Sequence, residues 1–203
     1  MMKQPLDLKS LERKAFRSFY QDGIWDIFFG LMMLAMWVPT LFDNMDNKGI
    51  RTISLILIEM MAVFFLIFGK KAITTPRLGN VNFGEKRKRR LVYIIGVNLF
   101  SLGALLALAL ARNAYPEQFN ASGGDIISSV GLGIWITFIT SVMAYFLDFN
   151  RLYLYALIYG STFALVLLLD IPLLFLIAAL LILLPGLFIF VRFLNENQPV
   201  TEE

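Results

Sequence analysis

From Leu152 to Val191 the chain runs forty residues with one charged side chain, Asp170. A single helix of that length would measure about 60 Å, twice the roughly 30 Å of hydrocarbon in a bilayer. Turn chemistry sits where two crossings would meet, at Asp170-Ile171-Pro172. Proline is tolerated in the first turn of a helix, and an aspartate before it can cap that helix. Two apolar helices joined by a tight hairpin are expected, over 152–169 and 172–191. Blocks of the same length recur upstream at 24–42, 50–69, 91–111 and 126–147. Only 16% of the residues are charged, against about a quarter in soluble domains. A transmembrane β-barrel would alternate apolar and polar residues in segments of roughly ten, and the sequence has none. The fold class is all-α: a polytopic integral membrane protein with six transmembrane helices.

Lysine and arginine orient the bundle. Fifteen of the eighteen fall in the N-terminal tail, in the segment 70–90, or at Arg151 and Arg192. Lys48, Arg51 and Arg112 fall on the other side. The positive-inside rule then puts both termini in the cytoplasm of a plasma (inner) membrane protein. The domains read as a cytoplasmic tail 1–23, a transmembrane domain 24–191 with a basic cytoplasmic loop 70–90, and a cytoplasmic tail 192–203. The first apolar run continues to Phe42 with no small-residue cleavage site after it, unlike a signal peptide. In the tail, Leu8, Leu11, Ala15 and Phe19 form one stripe, with Lys9, Arg13 and Arg17 around it. That pattern predicts a short amphipathic helix lying in the membrane interface. Pro76 to Gly84 alternates apolar and polar residues and predicts a short extended piece.

Lys86, Arg87, Lys88, Arg89 and Arg90 abut the third span. Topogenic charge with anionic headgroup contact explains them, at about 1 kcal/mol per residue near an anionic leaflet. A docking surface for a cytoplasmic partner is the other reading. Nucleic acid is not expected, because no aromatic residues interleave the run. The chain has no cysteine and no histidine. Thiolate or imidazole metal sites, His-ligated haem and the usual general bases are thereby excluded. The dispersed acids show no metal or nucleophile spacing, so neither a metal, a cofactor nor an enzyme activity is expected.

Glu59 interrupts the second span. It lies ten residues from Gly69, about 15 Å deep and near the bilayer midplane. A charge there costs roughly 2.5–3.5 kcal/mol on insertion scales. Asn98, Ser101, Thr137, Thr140, Ser161 and Thr162 fall at similar depth, and Pro185-Gly186 interrupts the sixth span. Two readings stand side by side. The polar slab is interhelical glue, with Asn98 satisfying Glu59, or it is a site for a cation, proton or polar solute. Asp22 and Asp26 begin the first span, where acids suit the helix dipole and Asp22 can cap. A salt bridge or gate with the basic loop is their alternative.

Two functions follow. The first is a small transporter, channel or transporter subunit using the polar slab. The second is a non-catalytic accessory or regulatory subunit holding a cytoplasmic partner or anionic lipid. With its interfacial helix and six spans ending inside, the layout resembles the permease half of an ABC-2-type exporter. That resemblance implies an ATPase partner docking on the 70–90 loop. Gly103, Ala107 and Ala111 make a small-residue ridge suited to internal packing or a homo-oligomer.

Overall fold

The computed structural model describes residues 20–42, 48–78, 92–101, 103–104 and 124–198. All regular structure among them is helical. Helix α1 covers Ile24–Trp37 and tightens into a 3-10 segment, Val38–Phe42. Helix α2 covers Lys48–Gly69 and continues without a break through a π-helical turn, Lys70–Thr74, into a last α-turn, Thr75–Leu78. Helix α3 covers Val92–Ser101. Helices α4, α5 and α6 cover Gly124–Leu147, Arg151–Leu169 and Leu173–Glu196. Five of these are long and apolar enough to cross a membrane, and α3 is a shorter apolar helix. The chain is therefore an all-α, membrane-embedded protein. The amphipathic stretch 8–19, the run Lys86–Arg90 and residues 105–111 of the third span lie outside the described residues.

Two expectations are corrected. The polar segment after Gly69 is helical to Leu78, so the part of the 70–90 segment up to that point is not loop, and 76–78 is not extended. Pro76 lies just past the π turn, its ring nitrogen cannot donate, and the described helix ends two residues later at Leu78. Asp170 does not cap α6. It ends α5 in the left-handed conformation, φ 54°, with its N–H on the Val166 carbonyl at 2.9 Å. Pro172 then starts α6, which runs five residues past Val191 and continues through Pro185.

Close backbone approach sets the packing. Helix α1 lies on α6, where a Cβ added at Gly186 would come within 2.8 Å of the Asp26 Cβ. Helix α4 lies on α5, where a Cβ at Gly133 would come within 2.8 Å of the Ala164 methyl. Helix α2 packs on α1, with the Ile24 side chain against Gly69. Met33, Leu152 and Ile182 are fully buried where these layers meet. The outward faces carry a sheath of exposed Leu, Ile, Phe and Met, such as Leu57, Phe64 and Phe68 on α2 and Leu184 and Phe188 on α6. So continuous an apolar surface belongs in lipid.

Candidate functional site

Three helices each contribute residues spaced four apart, a spacing that puts side chains on one helical face. Asp22 and Asp26 come from the start of α1, Lys70 and Thr74 from the π turn, and Arg151, Tyr155 and Tyr159 from α5. They converge at one end of the bundle. Lys70 Nζ donates to Asp22 Oδ2 at 2.6 Å, and the Thr74 hydroxyl donates to the same oxygen. The Ile24 amide donates to Asp22 Oδ1 at 3.2 Å. The Tyr155 hydroxyl donates to Asp26 Oδ1 at 2.5 Å, and Arg151 Nη2 lies 3.1 Å from Asp26 Oδ2. Arg151 Nη2 also donates to the Tyr20 carbonyl, and the Tyr159 hydroxyl to the Phe29 carbonyl.

Both carboxylates are fully buried, Lys70 nearly so, and Arg151 is 32% exposed at its side chain. Two acids against two cations make the cluster formally neutral, which offsets the cost of burying each charge. The acids sit at the positive end of the α1 dipole. The π turn matters because π-bulges interrupt the α-ladder and commonly serve functional sites. Here it delivers Lys70 and Thr74 to one carboxylate oxygen. Satisfaction is incomplete on the other acid. Asp26 Oδ2 has its ion pair with Arg151 but no well-directed hydrogen bond among the described residues, and neither has the buried Trp25 indole N–H. Buried polar atoms left in that state are uncommon and call for an explanation.

Asp22 accepts from the first amide of α1 and from Lys70, while the N-cap position itself is Gly23, with no side-chain cap bond. The mid-membrane residues are dispersed. Glu59 is half-buried on α2, a helix that packs on α1. Asn98 Nδ2 donates to the Ile94 carbonyl of its own helix, so Asn98 is not the partner of Glu59. Ser101 accepts from Trp135 Nε1 at 3.0 Å, tying α3 to α4. The Thr137 hydroxyl donates to the Gly133 carbonyl and, at 3.3 Å, to the Ala156 carbonyl across the α4–α5 contact. Ser161 bonds back to Leu157 and Ile158 and is exposed; Thr162 is buried and Thr140 half-buried. These polar groups do not gather around Glu59.

Lys70, Thr74, Arg151, Tyr155 and Tyr159 are site residues that the sequence reading left out. Their signal was present as Lys70-x-x-x-Thr74 and Arg151-x-x-x-Tyr155-x-x-x-Tyr159 at the edges of apolar blocks. Among the described residues no group of three His, Cys, Asp or Glu side chains is placed to hold a metal ion. Compared with known protein families, characterised proteins and solved structures, the chain matches none.

Proposed function

We propose that the chain is a small membrane transporter, or the membrane subunit of one, in which the Asp22–Lys70 and Asp26–Arg151 pairs form a gate at the cytoplasmic end. One observation carries this reading: two fully buried acids are paired to cations on two other helices. Charges at membrane depth are rare and usually mark a path or a switch. A neutral cluster joining α1, α2 and α5 is stable when closed. It opens only if water, an ion or a solute re-satisfies the separated charges, which couples opening to a ligand. The orientation is supported by Lys70, Arg77, Arg151 and Arg192, which gather at the end that holds Asp22. Labelling tests it: with Ser122→Cys an impermeant thiol reagent reacts from outside, and with Asn82→Cys it does not. The reverse pattern overturns the orientation.

Flux in proteoliposomes under pH and cation gradients tests the gate. Asp26→Asn keeps the shape and removes the charge, so coupled flux falls at least tenfold. Glu59→Gln changes flux less than twofold if the cluster, and not the mid-membrane slab, controls passage. The opposite ranking returns the site to Glu59. A second reading, an accessory subunit that docks an ATPase or another cytoplasmic partner, is favoured by a different observation. Asn98, Thr137 and Ser161 spend donors on helix backbones and Ser101 accepts from Trp135, so these four slab residues serve packing within and between helices. No wild-type flux under any gradient, with a stoichiometric partner copurifying from native membranes, selects that reading.

A further inference from the structure

At the same end of the bundle, but on its outer face, the start of α5 and the end of α6 enclose a cleft of about 480 Å³. Arg151 and Arg192 line it with Gln21 and Asn197, and Glu196 is the single carboxylate among the described residues that line it. Arg192, and the part of the Arg151 guanidinium not turned to Asp26, offer donors with side-chain amides beside them, a set that matches the oxygens of a phosphate group. The depth fits a headgroup. Arg192 lies nineteen residues beyond Leu173, about 28 Å along α6 and so at the edge of the hydrocarbon. Ile189, three residues nearer the membrane centre than Arg192, and the buried Phe193 supply apolar lining.

We propose that this cleft binds the phosphate of an anionic lipid headgroup. Arg192 is the recruiting charge. Its Nε donates to Glu196 Oε1 at 2.7 Å, one turn away on an exposed surface, a pair weak enough to exchange for phosphate. Arg151 closes the other side while its Nη2 stays on the Tyr20 carbonyl and beside Asp26. The cleft therefore shares one guanidinium with the buried cluster. The binding site stands whether or not that cluster gates transport.

The test is thermal unfolding of the full chain in neutral detergent, titrated with phosphatidylglycerol, with phosphatidylcholine or with inorganic phosphate. Phosphatidylglycerol stabilises saturably and the other two do not. Arg192→Gln raises the half-maximal lipid concentration about fivefold, the size of one basic contact at an anionic surface. Glu196→Gln lowers it by a similar factor, and Lys71→Gln, at an exposed cation of the same end that lines no part of the cleft, leaves it within twofold. Insensitivity to both Arg192→Gln and Glu196→Gln overturns the site, as does an equal effect of Lys71→Gln, which would mean general charge attraction. Should Arg192→Gln fail to fold, Glu196→Gln decides alone. Saturable stabilisation by inorganic phosphate, lost in Arg192→Gln, overturns the lipid assignment in favour of a soluble anion.

Discussion

Asp22→Ala is expected to lower the unfolding free energy by about 3–5 kcal/mol, the range found when one partner of a buried ion pair is removed. The loss is not that of one contact. Lys70 Nζ keeps its charge in a site that excludes water, the Thr74 hydroxyl loses its acceptor, and so does the first amide of α1. Removing both charges should behave differently. Asp22→Leu with Lys70→Met fills similar volume without a stranded ion, and such replacements are commonly neutral or stabilising by roughly 1–4 kcal/mol. Chemical unfolding of wild type, both single variants and the double variant in one detergent gives the coupling directly. A single-variant loss under 0.5 kcal/mol would mean that water reaches the pair. A stable double variant that loses flux would separate gating from folding, since a cluster kept only for stability has a better apolar substitute.

The fold was legible because the bilayer imposes a length scale that composition cannot hide. Apolar blocks near twenty residues located α4 and α5 to within two residues, and the turn at 170–172. Helix ends were less legible. Hydropathy reports where side chains stop tolerating lipid, but backbone hydrogen bonds continue into the polar interface, so α2 reaches Leu78 and α6 reaches Glu196. The site was half legible for a related reason. Spacing by four shows that Asp22 and Asp26 share a face, but no local pattern reveals which helix that face meets. Lys70 and Arg151 stand at block edges, where a basic residue reads as solvated and topogenic. Glu59 stood out instead because it interrupts hydrocarbon, although rarity in a local window says nothing of partners. The structure pairs Asp22 with a residue 48 positions away and Asp26 with one 129 positions away. Only tertiary packing supplies contacts of that range.

Gly23 is expected to be highly sensitive to an added methyl. It carries φ 79°, a conformation that costs an L-residue about 1–2 kcal/mol. Its missing Cβ is also a packing requirement: an added carbon would lie 2.6 Å from both the Gly186 oxygen and the Phe190 nitrogen. These are backbone atoms of α6, so no rotamer change relieves the clash, and the helices must separate. Overpacking of that kind costs roughly 1–3 kcal/mol, which with the backbone strain puts Gly23→Ala at about 2–5 kcal/mol. Gly131→Ala is the control, because nothing lies within 4 Å of the added carbon. Its helical backbone should leave stability unchanged or raised by up to about 1 kcal/mol. The effect of Gly23→Ala extends to the site. Gly23 joins Asp22 to α1, and α6 touches Asp26 through Gly186, so separating α1 from α6 moves both acids relative to Lys70 and Arg151. Gly23→Ala should therefore leave little of the further loss that Asp22→Ala causes in wild type, and the double variant should fall short of additivity by 1 kcal/mol or more. Full additivity in thermal or chemical unfolding would show that the acids are held by α2 and α5 alone, with α6 a neighbour and not a wall.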